Sequence, residues 1–347
     1  MSRQLLVLSN DAVRAVLSYP LCAEAMRDAL IARARGDFYQ PLRTVLKVPG
    51  PGGLVALMPA YRYGASAEGS GESSPRASTA SAGYGLKAIN ITHDNPGRGL
   101  DSHQGIVLLS SSETGEPIAV LNASAVTEVR TAAVSAVATN QLANADADVL
   151  TIIGAGVQAR SHLRAIASTR ALAEIRVVAR TAEKAQRFAA DMALLAGDAK
   201  VTGYASAEEA LAGAGIVVTA TNSAVPVIQR QWITPGTHIN AVGACLPHAR
   251  ELDSATVADA ALFCDSKDAV IAEAGDFVIA AMDGAIDRDH LMPELGDVLA
   301  GTAAGRSGER EITIFESLGL AAEDLAAAAA AYQVAVERGI GSLVDFG

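Results

Sequence analysis

The stretch Val149-Leu150-Thr151-Ile152-Ile153-Gly154-Ala155-Gly156-Val157-Gln158-Ala159 decides the fold of this chain. An apolar run leads directly into G-x-G-x-x-A, a pattern typical of a strand that turns sharply into a helix. Gly154 would permit the tight turn, Gly156 would let the backbone approach a pyrophosphate, and Ala159 would let helix and strand pack closely. The helix start adds amide donors and a favourable dipole. We therefore expect a dinucleotide to bind at Gly154, Ala155, Gly156, Val157, Gln158 and Ala159.

Around this motif the sequence alternates strand-like and helix-like segments, from residue 148 to about residue 265. Such alternation is typical of parallel strands joined by crossover helices. We therefore expect an α/β fold with a Rossmann-type, doubly wound parallel sheet. The predicted strands cover 149–153, 175–179, 200–203, 216–220, 238–242 and 261–264, and the predicted helices cover 157–168, 182–195 and 206–213.

The rest of the chain predicts a second, smaller region. The first 40 residues look helical, and short β-like runs between residues 42 and 121 indicate an antiparallel or mixed sheet. Longer helices are expected over 127–142 and over 325–338. Residues 64–83 are of low complexity, so we interpret them as a flexible surface loop, either an inert insertion or a lid over the site.

The composition argues against several classes of function. The chain has 347 residues, a formal net charge of -11 and no basic run, which disfavours a nucleic-acid or anionic-membrane surface. No apolar stretch approaches the roughly 20 residues of a membrane span, and the first residues lack a signal-peptide layout. Cys22, Cys245 and Cys264 lie far apart, so we expect a cytoplasmic protein with no disulfide framework and no metal site.

Residues at the ends of the predicted strands indicate which dinucleotide binds. NAD-binding folds place an acid at the end of the second strand, whereas NADP-binding folds place an arginine nearby. Here Ala179 stands in the acid's place, before Arg180 and Thr181, which favours NADPH over NADH. The alternative is that Arg180 is only a solvated loop charge. Residues after two further strands would line the cofactor crevice, namely Thr219, Ala220, Thr221, Val242 and Gly243.

Several segments beyond the glycine motif point to a known family. They are Met58-Pro59-Ala60-Tyr61, His103-Gln104-Gly105, Arg130-Thr131-Ala132-Ala133-Val134-Ser135-Ala136, Asn240-Ala241-Val242-Gly243, Arg250-Glu251-Leu252-Asp253 and Ile314-Phe315-Glu316-Ser317-Leu318-Gly319. Together they resemble the ornithine cyclodeaminase/mu-crystallin family. The resemblance implies a homodimer. It also implies that residues 1–126 and 315–347 form a substrate-binding and dimerisation domain, around a dinucleotide-binding domain over 127–314.

The same resemblance implies a substrate carboxylate held by basic residues, at the matching positions Arg43, Lys87 and Arg130. An arginine fork grips a carboxylate through two hydrogen bonds, and a lysine adds a point charge. His103 would orient Lys87 or line the site, and the alternative is a hydrogen-bonded core or loop histidine. Ser317 would approach the nicotinamide and contact the substrate.

Two positions depart from the cyclodeaminase branch of the family. The resemblance implies that this branch has a carboxylate at each of them. This chain has Ala56 and Cys245 there, so a diamine would lose both partners of its charged groups. The departures are similar to the mu-crystallin-like branch, which reduces cyclic ketimines. We therefore group Cys245 with Lys87 and Arg130 as the candidate catalytic residues. The alternative is that Cys245 is a small structural hydrophobe.

The sequence thus predicts an NADPH-dependent reductase of cyclic imines that carry a carboxylate beside the C=N carbon. The leading substrates are Δ1-pyrroline-2-carboxylate and Δ1-piperideine-2-carboxylate, which would give proline and pipecolate. Because no carboxylate stands at the family's acid/base position, either the substrate arrives as an iminium ion or water relays the proton. The alternatives are an alanine- or opine-type amino-acid dehydrogenase, a disfavoured ornithine cyclodeaminase, and a non-catalytic NADPH-dependent binding protein.

Overall fold

The computed structural model describes residues 4–47, 53–63, 83–92 and 94–347. The chain divides into two compact units, of which unit 1 is Met1–Arg130 with Leu320–Gly347 and unit 2 is Thr131–Gly319. We expected the second division after residue 314. It falls after Gly319 instead, because Ile312–Glu316 is a strand in the sheet of unit 2. The predicted loop at 64–83 lies outside the described residues, except for Gly83, which begins a strand.

The secondary structure is numbered here in chain order. The strands are β1 (Gln4–Leu8), β2 (Phe38–Tyr39), β3 (Thr44–Lys47), β4 (Leu54–Arg62), β5 (Gly83–Ile91), β6 (His103–Ser111), β7 (Pro117–Asn122), β8 (Val149–Ile153), β9 (Glu174–Val178), β10 (Lys200–Tyr204), β11 (Ile216–Thr219), β12 (His238–Ala241), β13 (Ala260–Cys264), β14 (Leu291–Glu294), β15 (Ile312–Glu316) and β16 (Ser342–Asp345). The helices are α1 (Asn10–Val16), α2 (Tyr19–Ala34), α3 (Ala123–Leu142), α4 (Val157–Thr169), α5 (Ala182–Met192), α6 (Ala207–Leu211), α7 (Ser254–Ala258), α8 (Lys267–Glu273), α9 (Gly275–Met282), α10 (Leu295–Leu299) and α11 (Ala321–Arg338).

A mixed sheet forms the framework of unit 1, in the order β16-β1-β7-β6-β5-β4-β2, with β3 also paired to β4. Strands β1 and β7 run parallel, and β4, β5, β6 and β7 form an antiparallel series. The prediction that the first 40 residues are helical is wrong for β1. Its short run Leu5-Leu6-Val7-Leu8 has no distinguishing period, and its partners β7 and β16 lie far away in sequence, so only tertiary pairing makes it a strand.

Helix α11 covers one face of this sheet. A Cβ atom on Gly85 would come within 2.9 Å of Leu325 Cδ1, so the helix approaches β5 closely. Successive side chains of a strand point to opposite faces, and Lys87 therefore shares the covered face with Gly85. The register of β5 with its neighbours places Met58 and Val107 directly beside Lys87 on that face. The strand register therefore places the Lys87 side chain in the interior of unit 1.

Unit 2 is built on a parallel sheet in the order β10-β9-β8-β11-β12-β15-β13-β14. This order confirms the predicted Rossmann-type, doubly wound sheet. The strand order reverses between β8 and β11, because the chain builds the sheet outward from β8 in one direction and then from β11 in the other. Ligands of open α/β sheets bind beyond the carboxyl ends of the strands at such a switch point. The sequence patterns missed β14 and β15. Helices α3 and α11 begin at Ala123 and Ala321, earlier than the predicted starts at residues 127 and 325.

A buried polar contact fixes the helix that follows the glycine motif. His162 in α4 has its Nδ1 2.7 Å from the Gln158 carbonyl oxygen and its Nε2 3.0 Å from Ser135 Oγ in α3. A carbonyl oxygen only accepts, so Nδ1 carries the proton and Nε2 accepts from the Ser135 hydroxyl.

Within the described ranges, no helix combines the length and apolar character that crossing a membrane requires.

Candidate active site

The glycine motif forms the expected strand-to-helix turn, since β8 ends at Ile153 and α4 begins at Val157. Gly154 has φ +127°, and a Cβ atom there would come within 2.4 Å of the Ala220 carbonyl oxygen, so glycine is required. Gly156 is the N-cap of α4, and a Cβ atom there would meet no described atom within 4 Å. No side chain in the described ranges caps this helix. The first-turn amides of α4 therefore fit the phosphates of a dinucleotide.

The end of the second strand has the residues expected for an NADP-type site. Ala179 follows β9 directly, and Arg180 is exposed beyond it. Thr181 is the N-cap of α5, and its Oγ1 accepts a hydrogen bond from the Lys184 backbone amide at 3.3 Å. An exposed arginine next to a helix N-terminus suits an additional phosphate group. That Arg180 and Thr181 bind the cofactor remains a prediction.

A buried carboxylate joins the loops that follow β11 and β12. Glu251 Oε1 accepts from the Thr221 amide at 2.6 Å, and its Oε2 accepts from the Gly243 amide at 2.7 Å. Asp276 Oδ1 in turn accepts from the Glu251 and Leu252 amides, both at 2.8 Å. The sequence patterns contain Glu251 in the motif Arg250-Glu251-Leu252-Asp253, but they do not reveal that its side chain joins two crevice loops.

Four buried acids lie near the carboxyl ends of the unit 2 strands: Glu251, Asp265, Asp276 and Glu316. Burial raises the pKa of Glu251, and burial together with the Glu251 charge raises the pKa of Asp276 to about 7. Burial first, then Asp276 and Glu251, raise the pKa of Glu316 well above its ordinary value. Glu316 therefore holds its proton more strongly than an exposed glutamate does. No group of His, Cys, Asp and Glu side chains in the described ranges has an arrangement that would hold a metal ion.

Lys87 and Arg130, two of the three predicted clamp residues, meet in one buried cluster of unit 1. Lys87 Nζ lies 2.6 Å from Asp324 Oδ2, and Arg130 Nε lies 3.1 Å from Asp324 Oδ1. Arg130 Nη1 also lies 3.0 Å from Glu323 Oε2. All four side chains are at most 5% exposed. Burial lowers the pKa of Lys87 to about 8, against the opposing charge of Asp324.

The third clamp residue, Arg43, is half-buried just before β3, and its positive charge also lowers the pKa of Lys87. The acids of the cluster were missed because they stand in the first turn of α11, where acidic residues are common. Glu323 also serves that turn, since its Oε2 accepts from the Leu320 amide at 3.3 Å. Only the buried partners Lys87 and Arg130 distinguish this acidic pair from an ordinary helix start.

The structure does not bring His103 to Lys87. In the pairing of β5 with β6, His103 lies opposite Ile91, whereas Lys87 lies opposite Val107. Four residues of strand separate the two positions, about 13 Å at roughly 3.3 Å per residue. His103 is exposed, with Nδ1 2.9 Å from Ser102 Oγ. His103 therefore does not orient Lys87, and that it lines the site remains a prediction.

Ser317 and Cys245 both belong to unit 2, although we expected Ser317 in the substrate-binding domain. Ser317 is buried, and its Oγ has no hydrogen-bond partner among the described residues. Cys245 is half-buried and donates from Sγ to the Val242 carbonyl oxygen at 3.4 Å. Ala56 is buried in unit 1, opposite Ile89 and two residues before Met58. The roles of all three residues in binding or catalysis remain predictions.

Known proteins resemble this chain over nearly its whole length. The model of the ornithine cyclodeaminase/mu-crystallin family matches residues 3–339. The ketimine reductase mu-crystallin of Mus musculus is 36% identical over 297 residues, which cover 86% of this chain and 85% of the mouse protein. The structure of Thermococcus litoralis Δ1-pyrroline-2-carboxylate reductase in complex with NADH and L-proline has a TM-score of 0.90 and 36% identity, and the match covers 98% of this chain and 100% of that one. An archaeal alanine dehydrogenase dimer with bound NAD has a TM-score of 0.89 and 30% identity, covering 99% and 100%.

Proposed function

Since this chain belongs to the ornithine cyclodeaminase/mu-crystallin family, we propose that it is an oxidoreductase that reduces cyclic ketimine carboxylates. The substrates are Δ1-pyrroline-2-carboxylate and Δ1-piperideine-2-carboxylate. The names of the mouse and Thermococcus litoralis relatives agree with this prediction. One observation carries it: a buried cationic clamp is present, while Ala56 and Cys245 stand where a diamine-converting enzyme would need acids.

The clamp binds and orients the substrate carboxylate. Within the cluster, the charges of Lys87 and Arg130 are balanced by those of Glu323 and Asp324, so the four ionised groups sum to zero. Arg43 adds one positive charge, which matches the single carboxylate of the substrate. Buried charges need such balance, because an unpaired ion in the interior is costly. The paired acids also fix the direction of both cations before the substrate arrives.

The cofactor is NADPH, held by unit 2, and when bound it supplies the hydride. The turn from Gly154 to Ala159 holds its phosphates, and Arg180 with Thr181 binds the 2'-phosphate. The support for NADPH over NADH is Ala179, which occupies the place of the acid that would accept from a free ribose hydroxyl. Thr219, Ala220, Thr221, Val242 and Gly243 line the crevice.

Lys87 supplies the proton for the imine nitrogen. With a pKa of about 8, Lys87 Nζ is protonated at neutral pH. This pKa is close enough to neutral pH for Nζ to release the proton during the reaction. A donor on the clamp itself removes the need for an acid at Cys245, whose Sγ already donates to the Val242 carbonyl oxygen. Cys245 then serves only to line the crevice.

The protein acts as a homodimer through the sheet face of unit 1 that α11 leaves open. Alternating residues place Tyr84, Leu86 and Ile106 on that face, where Tyr84 is 52% exposed and Ile106 is 45% exposed. The open face of an antiparallel sheet normally carries polar residues, so an apolar one indicates a partner. The archaeal alanine dehydrogenase of similar fold is a dimer.

The test is dinucleotide oxidation by the purified protein with each cyclic imine, in parallel with NADPH and NADH and without ammonia. Turnover of either imine is the expected result. Turnover only with pyruvate and added ammonia would establish the second candidate, an alanine-type dehydrogenase, which the structural likeness at 30% identity favours. Tight dinucleotide binding without turnover of any imine or oxo acid would instead establish a binding protein.

A further inference from the structure

Glu251 is a buried carboxylate that the proposed reaction does not use. It has no exposed surface, and both of its oxygens accept backbone amides, at 2.6 Å from Thr221 and 2.7 Å from Gly243. We propose that Glu251 is a positioning residue for the dinucleotide, because it holds the loops after β11 and β12 at the spacing of the cofactor crevice. This inference rests on the proposed function, since it takes the dinucleotide to bind at this edge.

The two loops need such a group because the strand ladder stops just before them. Thr219 pairs with Ala241, and the Val242 amide donates to the Thr219 carbonyl oxygen at 3.1 Å, which is the last backbone hydrogen bond between these two strands. The amides of Thr221 and Gly243 then lack a strand partner, and the carboxylate bridges them. A charged group with two acceptor atoms makes both bonds, and such bonds are stronger than bonds to a neutral acceptor.

The loops approach each other so closely at Gly243 that a side chain there has no room. A Cβ atom on Gly243 would come within 2.1 Å of the Thr221 carbonyl oxygen and within 2.7 Å of Glu251 Cδ. Glycine at 243 therefore lets the two loops and the carboxylate come into contact. Any side chain at 243 would push the loops apart and break at least one of the two hydrogen bonds.

The backbone of Glu251 is anchored as firmly as its side chain. Its amide donates to Asp276 Oδ1 at 2.8 Å, and its carbonyl oxygen accepts from the amides of Val227 and Ile228 at 2.7 and 3.1 Å. The backbone contacts and the two side-chain hydrogen bonds together hold the Glu251 carboxylate between the loops. A carboxylate anchored in this way sets the loop geometry before the dinucleotide arrives, which is the condition for a low cost of binding.

The test is the variant Glu251→Gln, which keeps the shape of the side chain but turns one of its two acceptors into a donor. We expect the Kd of NADPH, measured by fluorescence titration, to rise about tenfold, the size of one lost charge-assisted hydrogen bond. The KM of the imine at saturating NADPH should change less than twofold. Asn144→Ala is the matched control. Asn144 Nδ2 donates hydrogen bonds to the Gly236 and Glu309 carbonyl oxygens at the amino ends of the strands, the end of the same sheet away from the proposed crevice. This variant should lower the Tm without changing the Kd.

A lower Tm of Glu251→Gln with an unchanged Kd would overturn the inference while the proposed function stands. If the wild-type protein binds neither NADPH nor NADH, the proposed function fails and this inference fails with it. Should Glu251→Gln not fold, hydrogen exchange of the wild-type protein decides. Slow exchange of the Thr221 and Gly243 amides without dinucleotide supports a preformed crevice, and fast exchange that slows only on binding overturns it.

Discussion

The substitution Asp324→Asn would remove the shared partner of the two clamp cations. Asp324 contacts Lys87 Nζ at 2.6 Å and Arg130 Nε at 3.1 Å, and its side chain is 2% exposed. Asparagine keeps the size of the side chain but carries no charge, so the buried cluster gains one unbalanced positive charge. The Asp324 charge is what opposes the effect of burial on Lys87, and we therefore expect the pKa of Lys87 to fall below about 8.

Two magnitudes follow from this arrangement. Breaking a buried ion pair by removing one partner costs about 3–5 kcal/mol, so the Tm should fall by roughly 6–20 °C. In the wild-type protein, the difference between a pKa of about 8 and the ordinary 10.5 of lysine corresponds to about 3 kcal/mol. Because the folded pKa is the lower one, the unfolded chain binds more protons between these values. The Lys87 contribution to stability therefore rises as the pH increases from about 8 to 10.5.

The assay is the pH profile of kcat/KM with Δ1-pyrroline-2-carboxylate, together with thermal unfolding. The alkaline limb of the wild-type profile should fall near pH 8, as Lys87 loses its proton, and the limb of Asp324→Asn should lie at lower pH. Asp191→Asn is the matched control, because Asp191 makes an exposed pair with Arg160 at 3.0 Å. An exposed pair contributes about 0–1 kcal/mol, so this variant should keep both the Tm and the profile. Identical alkaline limbs for Asp324→Asn and wild type would refute the role of Lys87.

Four further variants test the remaining parts of the site. Gly154→Ala should abolish measurable NADPH binding in a fluorescence titration, since the added Cβ atom would lie 2.4 Å from the Ala220 carbonyl oxygen; unchanged affinity would exclude this turn as the phosphate site. Arg180→Ala should raise the Kd of NADPH at least tenfold and leave that of NADH within twofold, and equal effects on both would show that Arg180 does not select NADPH. Tyr84→Lys should convert the dimer to a monomer in light scattering, and a persisting dimer would move the interface elsewhere. Cys245→Ser should keep kcat within about threefold, because no proton transfer is assigned to that thiol; a loss of 100-fold or more would restore Cys245 as a catalytic acid.

The parallel sheet was predictable because its information is local. The run that ends at Ile153 and the turn at Gly154 lie within a few residues of each other, and β9 repeats the pattern of an apolar run before a helix. Strands β14 and β15 were missed. Strand β1 shows the opposite case. Its run Leu5–Leu8 fits either a strand or a helix, and it becomes a strand only through pairing with β7 and β16, which no local pattern specifies.

The candidate site also has residues that local motifs predicted and residues that they did not. The clamp cations Lys87 and Arg130 were found from motifs, whereas their partners Glu323 and Asp324 were not, because an acidic first turn of a helix is usually a solvated one. The expected contact of His103 with Lys87 is absent, because a motif does not state the strand register that separates the two residues. In each case a local pattern does not state which residues from distant parts of the chain lie next to each other in the fold.

The surroundings of Lys87 explain why an imine suits this chain better than a diamine. The residues beside Lys87 on its face of the sheet are Ala56, Met58, Ile89 and Val107, all buried and apolar. With Lys87 and Arg130 as the proposed carboxylate clamp, the carbon ring of a cyclic imine would lie against this apolar wall and would gain free energy from its burial. The acids nearest this wall, Glu323 and Asp324, already pair with Lys87 and Arg130, so neither is left to balance the second ammonium of a diamine. Under the proposed function, the apolar residues of this sheet face would select the ring, while Lys87 and Arg130 would bind the carboxylate that both kinds of substrate carry.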